Sequence, residues 1–510
     1  MKRITSIGTF ILVILLSSSL FASGVAITGI GARATALCGA YRGVANDWSA
    51  MFWNPAGITQ VKGFQFGTSF EIIMPTASFA PAKWTWTSYP SPYDYFNKDT
   101  VDVKEDFTNM RTGTTENEPR TFYIPALGLT YQMSEKLTVG FAVYAPFGLG
   151  AEWDLLDTDL YNKKYPTIDY ADDLKIIDFH PTVAYKVSDK LSVGVGLSIV
   201  YADIIIRTPK FIPNPYLSAD LAVARGAIET AGGIKPEFNH LLIDSELSGT
   251  GFGFGGNIGL MFKVTEDFQI GLSARYYNDV SINGTINATA YFADLPAAHD
   301  YIQNSTLLMS QFNTKFANGK ITESEYAAVT KFYSGEAAPV YADVSGDVKL
   351  PLPMEFGIGL SYTGINNLMI AADFSMTKWS AWDEILIELE KGEESNLIEH
   401  WEDGIRASVG LEYSFGLLKL RGGYYYESSV IPEETMSPTI PDINTRSAFS
   451  LGFQYGFGPL VFHMNYEKIL IGDKTVKDYI FNPVENSYDN LAGVYGADVN
   501  NIMVGLGYAF

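Results

Sequence analysis

Along most of the chain, hydrophobic and polar positions alternate with a period of two. In residues 191–201 every second side chain is large and apolar, and the side chains between them are Ser, Gly or Val. The pattern recurs at 268–277, 449–457 and 502–510. Successive side chains of a β-strand point to opposite faces, so these segments are predicted strands. The second face is mainly Gly, Ser and Ala rather than charged, which favours strands that face lipid over strands of a soluble sandwich.

Fourteen segments follow this pattern, and the connections between them alternate between short and long. The predicted strands are 64–77, 120–133, 136–149, 174–187, 190–206, 248–264, 267–283, 346–363, 367–382, 404–415, 417–427, 445–457, 459–470 and 500–510. Outer-membrane barrels have short periplasmic turns, longer extracellular loops and an even number of strands. Closure also leaves no unpaired strand edge in lipid. The predicted fold is therefore all-β, a 14-stranded antiparallel transmembrane β-barrel.

Composition and the N-terminus support a membrane location. Aromatic residues make up 14% of the chain and charged residues 18%, below the roughly 25% of soluble domains. A basic start at Lys2 and Arg3 precedes a mostly apolar stretch, residues 4–16, and then small residues. This order predicts a secretory signal peptide in residues 1–23 and an outer-membrane protein of a Gram-negative bacterium.

The net charge and the cysteine content exclude several kinds of partner and site. The net charge of −22 argues against nucleic-acid partners, which need basic surfaces. A single cysteine, Cys38, excludes an intramolecular disulfide and a multi-cysteine metal site, and a small buried side chain is expected there. No motif accompanies the five histidines that would indicate nucleophilic catalysis. We predict no enzymatic activity, no metal and no cofactor.

Residues 24–63 lack strand periodicity and are rich in Gly and Ala. A barrel of this size encloses a lumen that must be filled or conduct water, so this segment is a predicted N-terminal hatch inside the barrel, and 64–510 forms the barrel itself. Its bulky part is SAMFWNPAGITQ, in which Asn54 can cap a short turn that Pro55 begins. The alternative is an ordinary turn that leads into the first strand.

Residues 31–59 resemble the hatch of the FadL family, the outer-membrane transporters of long-chain fatty acids and other hydrophobic compounds. The family's Asn-Pro-Ala signature is matched by Asn54, Pro55 and Ala56. Further resemblance follows in order at 180–202, 378–385 and 406–446 and in the closing GYAF. It implies a monomeric fourteen-stranded barrel with an internal hatch, in contact with outer-membrane lipid and lipopolysaccharide.

The resemblance also implies passive uptake. A ligand would be caught by outer loops, pass to an apolar pocket at the hatch and leave sideways through a kink in the third strand. The expected hatch contacts are Phe52, Trp53, Asn54, Pro55, Ala56 and Gly57. The expected lateral opening is Tyr144, Pro146, Phe147 and Gly148, because Pro cannot donate a ladder hydrogen bond and Gly tolerates a bend. Alternatively, Pro146 only ends the strand at the outer rim.

Two loop segments, 218–233 and 321–335, show helical patterns. The resemblance places a capture groove between such loops, with Leu221, Ile228, Tyr326, Val329 and Phe332 as its predicted lining, although the residues alone favour packing surfaces. A carboxylate could bind Arg207, Arg275 or Arg421, unless these pair with acidic neighbours. Each buried CH₂ contributes about 0.8 kcal/mol, so a long apolar tail binds without a cation. A general diffusion porin and an aromatic hydrocarbon-specific channel remain alternatives.

Overall fold

A computed structural model describes residues 25–82, 110–157, 165–213, 240–291, 310, 313–314, 317–318, 338–390, 394–439, 443–482, 487–488 and 490–509. Fourteen strands cross the barrel. They are β1 Phe64–Pro81, β2 Phe122–Gln132, β3 Leu137–Trp153, β4 Tyr170–Lys186, β5 Leu191–Pro213, β6 His240–Lys263, β7 Phe268–Tyr277 with Val280–Tyr291, β8 Ala338–Leu350 with Glu355–Ile365, β9 Leu368–Thr377 with Glu384–Leu389, β10 Glu394–Ile398 with Gly404–Phe415, β11 Leu418–Glu427, β12 Arg446–Phe457, β13 Leu460–Val476 and β14 Gly493–Ala509. Two-residue strands also occur at Thr115–Glu116, Phe481–Asn482 and Ser487–Tyr488.

The strands pair antiparallel with their neighbours in chain order, and the sheet closes on itself. β1 pairs with β14 over seventeen positions, from Gln65 opposite Ala509 to Pro81 opposite Gly493. Because every strand then has two neighbours, the backbone polar groups of the wall can be satisfied within lipid. The all-β fold, the antiparallel order and the number of strands are confirmed.

Helices in the described residues are short. Those with both ends described are the α-helices α1 Ala32–Ala36 and α2 Ala50–Trp53 and the 3₁₀ helices Pro55–Gln60, Trp379–Ala381 and Glu433–Thr435; residues 310, 313–314 and 317 are also α-helical. Within these parts of the chain, no helix has the length and hydropathy that crossing a membrane requires.

The two faces of the wall differ as the alternation predicts. On β5, Val195, Leu197 and Ile199 are exposed on the outside, while Ser198 and Val200 are buried on the lumen side. Towards the long connections, the lumen is filled by an apolar cluster in which the rings of Trp382 and Trp401 lie 4.5 Å apart. The short turns fall where they were predicted, for example between Gln132 and Leu137.

The observed strands are longer than the predicted ones on the side of the long loops. β5 extends to Pro213 and β6 begins at His240, where the predictions end at 206 and begin at 248. The extension of β6 places apolar side chains such as Leu242 and Leu247 in the apolar cluster of the lumen, so it needs no lipid-facing alternation. The predicted single strand 346–363 is broken at 351–354, where Pro351 and Pro353 interrupt the ladder.

Two predictions lie outside the described residues. These are the signal peptide, residues 1–23, and the capture groove with Leu221, Ile228, Tyr326, Val329 and Phe332.

Candidate functional site: a cavity beside the hatch and a break in the wall

Residues 25–63, called the hatch below, lie across the lumen and touch strands on different sides of it. A Cβ atom at Gly194 of β5 would come 2.4 Å from the Pro55 carbonyl carbon. One at Gly423 of β11 would come 2.5 Å from the Leu37 carbonyl carbon, and one at Gly67 of β1 would come 1.9 Å from the Trp48 ring. The glycines on the lumen face therefore give the hatch backbone and rings the space they occupy.

Asn54 joins the hatch to the wall. Its side-chain oxygen accepts a hydrogen bond from the backbone N–H of Ala56 at 3.2 Å, which caps the 3₁₀ helix that begins at Pro55. Its amide nitrogen donates to the carbonyl oxygens of Arg42 at 3.1 Å and of Leu260 on β6 at 3.0 Å. All of its side-chain polar groups are thus used in fixing the hatch, and the residue is fully buried.

Arg42 makes a second attachment. Its guanidinium donates to Asp373 on β9 at 2.6 Å and to Glu355 on β8, and its backbone N–H also donates to Asp373 at 2.9 Å. These buried pairs hold the hatch against two neighbouring strands.

Cys38 makes a third contact and has no other cysteine to pair with, as predicted. Its thiol is fully buried and lies 3.8 Å from the carbonyl oxygen of Ala448 and from the carboxylate of Glu467. Burial, together with the negative Glu467, raises the pKa of the Cys38 thiol well above its usual range. The cysteine is therefore an inert packing residue of the hatch.

A small cavity of about 50 Å³ lies beside Phe52 and Trp53. Aromatic rings form one part of its lining, and four guanidinium groups and two carboxylates form another. The lining residues are Ala26, Ile27, Thr28, Arg42, Phe52, Trp53, Pro146, Phe147, Arg275, Pro353, Glu355, Ser375, Thr377, Trp379, Arg406, Glu427 and Arg446. The lining thus combines apolar surface with more guanidinium groups than carboxylates.

Two of the four arginines bind carbonyl oxygens rather than carboxylates. Arg275 donates to the carbonyl oxygen of Phe52, and its guanidinium lies 3.7 Å from the centre of the Phe52 ring. Arg406 donates to the carbonyls of Thr28 at 3.1 Å and Cys38 at 3.2 Å. The Nε atoms of both are buried and have no partner among the described residues. Arg42 and Arg446, in contrast, are ion-paired with Glu355 and Glu427.

The three arginines predicted from sequence are not together. Only Arg275 lines the cavity. Arg207 pairs with Asp244 at 3.4 Å and Glu246 at 2.9 Å, and Arg421 pairs with Glu412 at 2.6 Å. The sequence prediction missed Arg406, although it shares the lumen face of β10 with Ser408, Gly410 and Glu412 at a spacing of two; that alternation was the signal for it.

The ladder of the third strand is irregular around Pro146, the residue at which the sequence predicts a kink. The pairing of β3 with β4 shifts between Tyr144 and Phe147, and the strand then continues to Trp153, so Pro146 lies inside the strand rather than at its end. On its other side, β3 leaves β2 and binds the hatch. Ile27 N–H donates to the Pro146 carbonyl at 3.1 Å, and Gly148 N–H donates to the Val25 carbonyl at 2.7 Å. The cavity, which Pro146 and Phe147 line, therefore borders a break in the pairing of β2 with β3.

Residues 13–501 match the family model described as outer membrane protein transport protein, OMPP1/FadL/TodX. The chain belongs to this family. It is 24% identical over 350 residues to Outer membrane protein P1 of Haemophilus influenzae, a match that covers 66% of this chain and 63% of that one. It is 23% identical over 368 residues to the long-chain fatty acid transport protein of Salmonella typhi, covering 70% and 72%.

The fold is that of solved family members. A FadL homologue of Pseudomonas aeruginosa superposes with a TM-score of 0.66 at 15% identity, covering 97% of this chain and all of the other. The toluene transporter TodX of P. putida superposes with a TM-score of 0.60 at 14% identity, covering 95% and 99%. The protein is thus an outer-membrane β-barrel of a family of transport proteins.

Proposed function

We propose that the protein carries out passive uptake of long-chain fatty acids or other hydrophobic small molecules across the outer membrane. In this proposal the ligand is captured at the extracellular loops and passes to the cavity beside Phe52 and Trp53. It then leaves sideways through the break at the kink of β3. The observation that carries the proposal is the shared lining, because Ala26, Ile27, Pro146 and Phe147 border both the cavity and the break.

The chemistry of the cavity supports an amphiphile with a negative head. The rings of Phe52, Trp53, Phe147 and Trp379 offer apolar surface, and each CH₂ buried there contributes about 0.8 kcal/mol. Arg275 and Arg406 have donors that no carboxylate of the described residues uses. A ligand carboxylate would gain charge-assisted hydrogen bonds there. A neutral aromatic hydrocarbon such as toluene, which TodX transports, would use only the apolar part.

Uptake by cells that lack the gene, with and without the gene restored, tests this proposal. We expect the protein to increase uptake of labelled oleate. The double variant Arg275→Met and Arg406→Met should reduce oleate uptake about tenfold or more, since a hydrogen bond to a charged group is worth about 1.5–3 kcal/mol. Uptake of labelled toluene should change little. Arg207→Met is the matched control, because Arg207 does not line the cavity.

Each outcome has a clear meaning. Equal loss of oleate and toluene uptake in the double variant would contradict the carboxylate contact. If the wild-type protein raised uptake of neither compound, the proposed function would be wrong. The proposed working form is a monomer surrounded by outer-membrane lipid and lipopolysaccharide, and its mass in a mild detergent checks that part.

A further inference from the structure

The opening beside β3 has a second edge, formed by β2, and its geometry is set by a proline in that strand. β2 pairs with β3 only from Gln132 opposite Thr138 to Leu127 opposite Val143. On its other side, β2 continues to pair with β1 as far as Phe122 opposite Ile73. Residues 122–126 of β2 are therefore paired with β1 and unpaired towards β3.

The direction of the backbone groups shows what Pro125 does. The N–H of Gln132 donates to the Gly63 carbonyl, which lies on the β1 side. Because successive N–H groups of a strand point to opposite sides, the nitrogen of Pro125, seven residues earlier, faces β3. If the β2–β3 register continued, Pro125 would stand opposite Ala145. This is the next position at which the two strands would exchange hydrogen bonds, and Pro has no N–H to give.

At the end of the break nearer the long loops, side chains and the backbone of residues that precede β2 contact β3 and β4. Arg120 pairs with Glu152 of β3 at 3.2 Å and with Asp173 of β4, and Phe122 covers Gly150, where a Cβ would come 2.5 Å from its ring. Backbone contact resumes where Glu118 N–H donates to the Glu152 carbonyl at 2.9 Å. Between the last β2–β3 pair and this contact lie residues 119–126 on one side and 144–151 on the other, roughly 26 Å at 3.3 Å per residue.

We propose that Pro125 keeps the β2 edge of this opening unpaired and that ligand exit depends on it. The inference rests on the lateral exit proposed above. Pro146 turns β3 towards the hatch, and Pro125 prevents β2 from forming the missing hydrogen bond with Ala145. The two prolines lie on opposite edges of one opening.

The test is Pro125→Val, which supplies the N–H and favours a strand. We expect the new backbone amide at position 125 to be protected from hydrogen exchange. Uptake of labelled oleate should fall about fivefold, the effect of one net hydrogen bond. Oleate binding to the purified protein should stay within about twofold of wild type, because Pro125 does not line the cavity. The matched control is Pro75→Val in β1, a wall proline that pairs with Val499 away from the break.

Folding of each variant is checked by heat-modifiable migration on gels. Should Pro125→Val fail to fold, Pro125→Ala restores the N–H with a lower strand propensity, and a smaller fall in uptake is expected. Wild-type uptake by a folded variant overturns the inference, whether or not its new amide is protected. Failure of wild-type protein to take up oleate or toluene would instead overturn the proposed function, and exchange at residue 125 would still decide whether the proline keeps the edge open.

Discussion

At the residue scale, the local geometry of Asn54 was predictable from the sequence, but its distant partners were not. The sequence predicts that Asn54 is extended and caps a turn that Pro55 begins. The structure has φ −159° and ψ 99° at Asn54 and a 3₁₀ helix from Pro55 to Gln60. The cap was predictable because Pro restricts the residue before it and fits the first helical position. The bonds to the Arg42 and Leu260 carbonyls were not, because those partners lie 12 and 206 residues away.

Replacing Asn54 separates these two roles. Asn54→Ala removes the cap and both bonds to carbonyl oxygens, so we expect it to destabilise the hatch by about 2–3 kcal/mol. Amide exchange of residues 50–58 should become about thirtyfold faster or more. Asn54→Ser retains an oxygen for the cap but cannot reach the carbonyls of Arg42 and Leu260. Amide exchange of residues 50–58 in this variant should therefore be faster than in wild type and slower than in Asn54→Ala. Equal exchange in Asn54→Ala and wild type would show that the hatch is held without this residue.

At the scale of elements, the alternation of apolar and small residues predicts the part of each strand that faces lipid. It does not predict the part of a strand that extends beyond the lipid. The short turns and the count of fourteen strands follow from a period that lipid imposes on the outer face. The extension of β6 does not, because its side chains pack in a lumen cluster whose members come from distant parts of the chain. The irregular ladder of β3 between Tyr144 and Phe147 was predictable from Pro146. The role of Pro125 was not, since its effect depends on which side of β2 its nitrogen faces.

The small residues of the lumen face also belong to this scale. They could be counted from sequence, but only the structure shows which ones the hatch touches. A Cβ atom at Gly194 of β5 would come 2.4 Å from the backbone of Pro55 and Ala56. At Gly507 of β14, the atom nearest to such a Cβ would be 3.8 Å away. A side chain at position 194 must therefore displace the hatch, whereas a side chain at position 507 fits without displacing it.

We therefore expect Gly194→Val to loosen the hatch and Gly507→Val to leave it in place. Limited proteolysis of the purified protein should cleave residues 40–60 faster in Gly194→Val, by about tenfold if the strain is of the order of an overpacked core, 1–3 kcal/mol. The barrel should remain heat-modifiable in both variants, because the ladders of the wall are untouched. Equal cleavage of the two variants would mean that the contact at Gly194 does not restrain the hatch.

For the whole molecule, the wall and the hatch depend on each other unequally. The closed sheet is made by residues 64–509, and β1 pairs with β14 without help from residues 25–63. The hatch, in turn, is anchored by wall residues such as Asp373 and Glu355 through Arg42. If the hatch were absent and the lumen filled with water, Asp373 and Glu355 would be hydrated. The free-energy cost of leaving these carboxylates without Arg42 is therefore smaller in an open barrel than in a filled one.

Deletion of residues 27–60 should therefore give a folded, open barrel. We expect it to migrate as a heat-modifiable protein and to form steady channels in planar bilayers with a conductance at least about tenfold above that of the wild type, since a lumen of this width holds water once it is unfilled. Full-length protein is the control, and its low conductance is what separates a hatched transporter from a general diffusion porin. Large steady channels from the full-length protein would favour the porin. Failure of the deletion variant to form a heat-modifiable barrel would show that the wall needs the hatch in order to close.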